Sequence, residues 1–315
     1  MQTRVVDTEM APGKNYFSRQ PKGQIIPVLA VALPALLGAM ALVSDVGLFY
    51  YNWGLLQKAA DSAALAGASY LPESPALAVS TAQNYATRNG VALSEITSTA
   101  VSADDLSLTI HLTRTVPYNF GVLLGLISGT VAAAAKAQIQ NIGSSIDITP
   151  IGIDYRTPYS SGQIVTLMQG QLGPGNWGPL ALGGTGASNF EQNVEYGYQG
   201  QVSIGDMVTT EPGKMTGPTK TAFDYIISQG QSMDPGGTFD NHLLTDPRVL
   251  IVPMVDFSNI NGRSQVPVLG FAALWMVSID NKNDINTYFI SEVAPGSTPD
   301  PSAPNYGAYK AVLVQ

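Results

Sequence analysis

The stretch from Ile25 to Val43 reads IIPVLAVALPALLGAMALV and contains no charged side chain. A helix of this length spans roughly 28 Å at 1.5 Å per residue, which is enough to cross the hydrocarbon core of a bilayer. Pro27 falls in the first turn, where its missing amide donor costs little, whereas Pro34 predicts a kink in mid-span. We therefore predict a transmembrane helix over residues 25–48.

The charges around this span predict its orientation. Residues 1–24 carry four basic and two acidic side chains, although the whole chain has a net charge of −8. Asp45 is the polar residue at the far end of the span, and an aromatic cluster of the kind found at membrane interfaces follows it at residues 49–53. This pattern predicts a basic cytoplasmic N-terminus over residues 1–24 and an acidic body on the other side of the membrane.

A cleaved secretory signal is the main alternative to a permanent anchor. The basic N-terminus, the apolar stretch and the triplet Ala39-Met40-Ala41 all occur in such signals, and cleavage there would leave a chain that starts at Leu42. Against this alternative, the N-terminal region is long and the apolar, helix-favouring sequence continues past the triplet without a break. A buried helix of a soluble protein is a third interpretation, which the charge asymmetry disfavours.

The helical pattern continues to about Tyr70, with small residues in two rows spaced by four, so that each row lies on one helix face. Such faces allow close approach of a partner helix. They predict a helix-packing surface and a candidate contact for a homo-oligomer; the alternative is packing against the chain's own sheet. The rows comprise Ala59, Ala63 and Gly67, and Ala60, Ala64 and Ala68.

Composition excludes several classes of function. The acidic body has no cluster of basic residues, so nucleic acid is not an expected partner. The chain has no cysteine, which excludes disulfides, thiolate-zinc sites and cysteine nucleophiles. The 32 glycines and 21 prolines indicate many turns and a strand-rich body.

The rest of the pattern predicts an α+β protein. Ser74-Pro75 opens a helix that ends near Asn89, and alternation over 106–116, a short apolar helix over 118–126 and a strand over 130–142 follow. We thus predict a helix plus a small α/β layer over 49–145. A β-rich domain is expected over 146–315, with one helix over 218–229 and strands over the apolar runs at 164–168, 201–204, 249–255, 266–277, 287–290 and 311–314.

The first 140 or so residues resemble the TadE/TadG-like proteins of tight-adherence (Flp-type) pilus assembly. The resemblance lies in Gly23-Gln24 before the span, Asp45-Val46-Gly47 at its end, Leu56-Gln57, and the run Ala59–Ala68. It implies an inner-membrane, pseudopilin-like accessory protein with a periplasmic or extracellular C-terminal domain, whose partners are the lipid bilayer and other pilus-assembly or pilin-like membrane proteins. The second half resembles the extension of many TadG-like proteins, and this resemblance implies no activity. It lies in Gly175–Gly178, Gly205-Asp206, Glu211–Gly213, Gly217–Thr219, Asp246–Val249 and Gly270–Ala272.

No pattern in the sequence predicts catalysis, a metal site or a cofactor. The two histidines, His111 and His242, lie far apart in the chain, and there is no Gly-x-Ser-x-Gly, His-Glu-x-x-His or Walker motif. Asp280–Asp284 departs from a calcium loop and predicts a hairpin turn. The glycines at 183, 184 and 186 predict a flexible turn, and Asp206, Glu211 and Asp256 are not spaced as a carboxylate pair.

Three functions of different classes follow. The favoured one is a non-enzymatic, membrane-anchored assembly component. The second is an exported surface-binding or adhesion module that would use Trp177, Tyr196 and Tyr198, for which burial in the core is the alternative. The third is an envelope hydrolase without a recognised motif.

Overall fold

The computed structural model describes residues 25–169, 175–212, 216–258 and 260–314. The predicted cytoplasmic segment 1–24 and the Gly23-Gln24 step therefore lie outside the described residues. One continuous helix, α1, runs from Ile25 to Ala68 with Pro34 inside it. This confirms the predicted long helix, whereas the kink at Pro34 stays a prediction.

The described chain forms an α+β fold, as predicted. The further helices are α2 (Pro75–Arg88), α3 (Ala187–Tyr196) and α4 (Thr216–Met233). The strands are β1 (Ile96–Val101), β2 (Ser107–Pro117), β3 (Ser128–Ser145), β4 (Ile151–Asp154), β5 (Ile164–Gln169), β6 (Asn176–Ala181), β7 (Val202–Ser203), β8 (Met207–Thr210), β9 (Val249–Val255), β10 (Gln265–Ile279), β11 (Ile285–Ile290), β12 (Glu292–Val293), β13 (Thr298–Pro299) and β14 (Ala308–Val314).

The described residues form two compact units. The first comprises α1 up to Tyr50 together with Pro117–Gly129, and the second comprises Tyr51–Val116 and the described residues from Thr130 onward. The four-part division at residues 24, 48 and 145 stays a prediction.

The first sheet of the second unit has the order β1-β2-β3-β14-β12, and the short strands β7 and β13 also pair with β3. The predicted alternation is present in β2, where Leu108, Ile110 and Leu112 are buried, whereas Leu106 before the strand is exposed. β14 lies antiparallel to β3, so the last described strand completes a sheet that began near residue 96.

The second half of α1 packs within this unit. Gly67 of α1 lies so close to α2 that a Cβ there would stand 2.7 Å from the carbonyl oxygen of Ala78 and 2.9 Å from Cβ of Ala82. The same Cβ would stand 2.8 Å from Cδ1 of Leu108 on β2. Glycine therefore fits the crossing between α1 and α2, which have no room there for a larger side chain.

The second sheet has the order β11-β5-β6-β4-β9-β10-β8, and further pairing of β10 with β11 closes it on itself. Helices α3 and α4 cover one face through Phe190, Val194, Phe223 and Ile226, which pack with Trp177 in one apolar core. A second core lies on the other side of the strands and includes Phe257 and Phe271. The predicted β-rich character of this region is confirmed.

Several elements were absent from the sequence prediction. The strand β1 is largely exposed, and β4 has four residues that are all buried, so neither shows a clear alternation. Gly178 and Pro179 lie inside β6, although both residue types disfavour strands. The helix α3 follows three glycines and buries just two apolar residues, Phe190 and Val194.

The interpretation of residues 183–186 as a flexible turn was incomplete. These glycines follow β6, and Gly186 is the N-cap of α3. The N–H of Gly186 donates to Oε1 of Glu211 at 2.8 Å, which places a carboxylate at the positive end of this helix. The flanking strand and helix were missing from the prediction because neither β6 nor α3 was recognised.

We predict that Gly67→Ala lowers the free energy of unfolding by about 1–3 kcal/mol, because the new methyl group has to push α2 away. The matched control is Gly54→Ala on the same helix, where nothing lies within 4 Å of the added Cβ. Alanine is the better helix former by about 1 kcal/mol, so this control should be neutral or stabilising. Thermal unfolding of the full chain in detergent, followed by tryptophan fluorescence, measures both; equal midpoints for the two variants would contradict the close packing.

Candidate functional site

The most unusual local feature of the described residues is the contact between Asp45 of α1 and the connection between β2 and β3. This connection, residues 118–127, reads YNFGVLLGLI and is called here the apolar turn. It contains a single turn of 3-10 helix, Gly121–Leu124. The predicted short apolar helix over 118–126 is therefore present in a shorter and tighter form.

The carboxylate of Asp45 accepts hydrogen bonds from three consecutive backbone amides. The N–H of Asn119 donates to Oδ1 at 2.8 Å, and the N–H of Gly121 donates to Oδ2 at 2.7 Å. The N–H of Phe120 is shared between the two oxygens at 3.2 and 3.1 Å. These amides start the 3-10 turn, whose N-cap residue Phe120 makes no side-chain cap, so the carboxylate of Asp45 on α1 takes the capping role. The aspartate is 6% exposed.

An aromatic contact adds to this attachment. The rings of Phe49 and Tyr118 stack with centroids 4.8 Å apart. A Cβ on Gly129 would lie 2.8 Å from the Phe49 ring, so glycine allows β3 to begin directly beside the helix. Asp45 and Phe49 are four residues apart on α1 and so lie on the same face.

The apolar turn is closed by its own backbone hydrogen bonds. The N–H of Tyr118 donates to the carbonyl of Ile127, and that of Leu126 donates to the carbonyl of Gly121. The N–H groups of Leu123 and Gly125 donate to the carbonyls of Phe120 and Val122. Gly125 ends the 3-10 turn with φ of 83°, a left-handed conformation that glycine adopts without strain.

The side chains of the apolar turn point outward. Leu123 is 84% exposed and Leu124 is 83% exposed, and four more large apolar residues of the turn are also exposed: Phe120, Val122, Leu126 and Ile127. Beside them a groove of about 500 Å³ lies between the turn and α1, bounded on the helix by Gly38, Ala41, Leu42, Asp45, Val46 and Phe49. Lone exposed apolar residues are common on proteins, but a contiguous group of six indicates a contact surface.

The six small residues predicted as a helix-packing surface are all buried in this single chain: Ala59, Ala60, Ala63, Ala64, Gly67 and Ala68. Gly67 contacts α2 and β2 directly, as described above. A partner helix would have to displace elements of the chain's own fold to reach this face. The structure thus shows these residues packed within the chain, and their contact with a partner stays a prediction.

The described histidines and carboxylates form no recognisable catalytic arrangement. Nε2 of His242 lies 3.0 Å from a carboxylate oxygen of Glu292, both largely buried, whereas His111 is exposed on β2. Glu211 is paired with Arg263 at 2.8 Å. Asp206 and Asp256 accept backbone N–H groups of Ser203 and Ser258 in local turns.

No group of three or more potential metal ligands occurs among the residues that the structure describes. Asp280 accepts the N–H groups of Lys282 and Asp284, and Asn283 has φ of 64°. This arrangement confirms the predicted hairpin turn between β10 and β11.

The three aromatic residues considered for surface binding occupy different environments. Trp177 is fully buried and donates its Nε1–H to the carbonyl of Asn283 at 3.1 Å, so it belongs to the core and not to a binding surface. Tyr196 is exposed, and it lines an open recess together with Tyr198 and the side chains of Asn189, Gln192, Asn193 and Gln199.

Within the described part of the chain, α1 is the one helix long and apolar enough to cross a membrane. Its most apolar window of 18 residues has a mean hydropathy of 2.4 and no buried residue. Residues 23–69 match the family model described as Tad, "Putative Flp pilus-assembly TadE/G-like". The resemblance to TadE/TadG-like proteins is thereby confirmed over this segment, which covers the whole of α1. Searches of curated proteins and of solved structures find no match.

We predict that Asp45→Ala releases the start of the apolar turn. Hydrogen bonds to a charged acceptor contribute about 1.5–3 kcal/mol each, so hydrogen exchange at Asn119, Phe120 and Gly121 should become roughly 10- to 100-fold faster. Asp61→Ala is the matched control on the same helix, because Asp61 accepts a local hydrogen bond from Gln57. Exchange mass spectrometry of the full chain in detergent measures the effect, and unchanged exchange at residues 119–121 would show that Asp45 does not hold the turn.

Proposed function

We propose that this chain is a non-enzymatic, membrane-anchored component of a Tad/Flp-type pilus-assembly or secretion machine that acts through protein contacts in a pseudopilin-like manner. The observation that carries the proposal is the TadE/G-like match at residues 23–69, which falls on a helix with the length and apolarity of a membrane anchor. The candidate residues described above form turns, ion pairs and helix caps, which are structural roles that suit an assembly component.

The helix α1 supports this role because its two parts have different surfaces. Its first part is exposed almost throughout, whereas from Leu56 onward one face of the helix is buried in every turn against the chain's own elements. A pseudopilin-like protein needs both properties, since the apolar part must meet lipid or other membrane helices while the remainder holds a folded body. The match with the TadE/G-like model covers both parts.

The proposed location is the bacterial inner membrane, crossed once, with residues 1–24 in the cytoplasm and the C-terminal domain periplasmic or extracellular. The basic residues before the span and the acidic body after it support this orientation. The proposed partners are the lipid bilayer and other pilus-assembly or pilin-like membrane proteins, with the N-terminal helix as the surface for a homo-oligomer.

The absence of natural cysteine allows the orientation to be mapped with single substitutions. We expect a membrane-impermeant maleimide to label Ser94→Cys in intact spheroplasts. The same reagent should label Ser18→Cys only after the spheroplasts are lysed. Ser94 is exposed before β1, and Ser18 lies in the basic N-terminal segment. Labelling in the reverse order would contradict the orientation, and recovery of the chain in the soluble fraction would contradict the anchor.

Deletion of the gene in a strain that assembles Tad-type pili tests the function itself. We expect loss of surface pili, restoration by the full-length chain, and co-purification of other Tad components with a tagged chain after crosslinking in membranes. Normal pili with no co-purifying Tad component would contradict the proposal. Normal pili with lost surface adhesion, reproduced by Tyr196→Ala, would instead support the adhesion module, because Tyr196 is the exposed aromatic of the recess.

The substitution Ala63→Leu, on the predicted helix-packing surface, would not separate loss of partner binding from loss of folding in such an experiment. Ala63 is fully buried within the chain, so the larger side chain would disturb folding as well.

A further inference from the structure

We infer that the apolar turn is a second membrane contact, which inserts its exposed side chains into the lipid layer beside α1. The inference rests on the membrane anchorage proposed above. The occupant of this surface is the acyl-chain and glycerol region of a phospholipid leaflet. Four observations, all within the first unit, lead to this assignment.

The first observation is depth along the helix. Asp45 lies twenty residues after Ile25, which is roughly 30 Å along a helix and equals the thickness of a hydrocarbon core. The groove beside the apolar turn extends back from Phe49 to Gly38, roughly 16 Å toward the middle of the span. The turn therefore lies at the level of the last turns of the predicted transmembrane segment.

The second observation is chemical continuity with the lipid-facing surface of α1. Leu42, which lines the groove, is exposed, as are Met40, Val43 and Val46 nearby. The side chains of the apolar turn extend this surface sideways. Charge is absent from the chain between Arg114 and Lys136, so the turn itself brings no charged side chain into the lipid layer.

The third observation is that most backbone amides of the apolar turn are hydrogen-bonded, either within the turn or to Asp45. Hydrocarbon offers no hydrogen-bond partner, so irregular backbone enters a membrane when its N–H and C=O groups are paired. Seven amides in the turn donate to Asp45 or to carbonyls within the turn: those of Tyr118, Asn119, Phe120, Gly121, Leu123, Gly125 and Leu126. Asp45, the charged residue in this part of the helix, is covered by three of them.

The fourth observation is the order of exposure within the turn. The two residues at its tip, Leu123 and Leu124, are the most exposed large apolar residues of the described chain, while Tyr118 at its base stacks on Phe49. A protein partner would be selected by hydrogen-bonding or charged groups around the patch. Asn119, beside the Asp45 contact at the base, is an exposed polar side chain of the turn, whereas residues 120–127 carry no polar side chain. A lipid layer needs no such groups.

Three single-cysteine variants of the full chain test the inference: Leu123→Cys in the turn, Leu37→Cys in the span and Leu93→Cys in the extramembrane part. These leucines are 84%, 61% and 69% exposed, and Leu93, like Leu123, lies in a 3-10 turn. Each is labelled with an environment-sensitive fluorophore and reconstituted in phosphatidylcholine–phosphatidylglycerol vesicles. Doxyl-labelled phosphatidylcholine then measures lipid contact, and iodide in the buffer measures water contact.

We expect doxyl lipid to quench positions 37 and 123 at least twofold more strongly than position 93, with iodide giving the opposite order. Lipid contact at 37 but equal water contact at 123 and 93 would overturn the inference and leave the anchor intact. Protection of 123 from iodide without quenching by doxyl lipid would also overturn it, since a protein partner or second copy would then cover the turn. Absence of lipid contact at 37 would overturn the anchorage and the inference with it.

Adding Asp45→Ala to Leu123→Cys tests the attachment of the turn. We expect weaker quenching by doxyl lipid and greater access to iodide, because the amides of residues 119–121 lose their acceptor. Adding Asp61→Ala instead should leave the quenching at position 123 unchanged. Equal quenching in the two double variants would show that Asp45 does not position the turn.

Discussion

The structure depends on one helix that has to satisfy two environments. The 44 residues of α1 form a single helix, and roughly 66 Å of hydrogen-bonded backbone needs no outside partner along its length. Apolar side chains cover the first part on every side, which suits lipid. Small side chains occupy the second part, and they allow α2 and β2 to approach the helix backbone closely. A helix that was apolar or small throughout would meet one of these requirements and fail the other.

Asp45 stands where the two requirements meet. A carboxylate at the end of an apolar span is costly unless its oxygens are paired. Here three backbone amides pair them, and those amides would otherwise be unpaired at the start of a 3-10 turn. The carboxylate on the helix thus supplies the acceptor that the amides of the turn need, and those amides supply the donors that the carboxylate needs. The same contact keeps a group of exposed leucines beside the apolar span, which connects a local hydrogen-bond requirement to the membrane role that we propose.

The sequence predicted the features that arise from local patterns. The long helix, α2, the alternation in β2 and the hairpin at Asp280–Asp284 follow from periodicity, proline and glycine positions, and turn chemistry. The sequence missed β4 and β6, because one is too short to show a period and the other contains Gly178 and Pro179. It also missed α3, because its start at Gly186 can be recognised only once Glu211 is known to lie beside it.

The candidate site was predicted in part. Asp45 was singled out as the polar residue at the end of the span, and the apolar character of 118–126 was noted, but no pattern joined two segments more than seventy residues apart. The small-residue rows were interpreted from their spacing, which is the same whether the partner is another chain or α2. Spacing describes a helix face, and the identity of whatever covers that face depends on the tertiary fold.

The central claim is that α1 is retained whole, as membrane anchor and as part of the folded body. Intact mass and N-terminal sequencing of the protein from carbonate-washed native membranes test it most directly. The account predicts a membrane-bound chain that still contains Ile25–Val43. A chain that begins at Leu42 and leaves the membrane would contradict it, because α1 would then have served as a cleaved export signal.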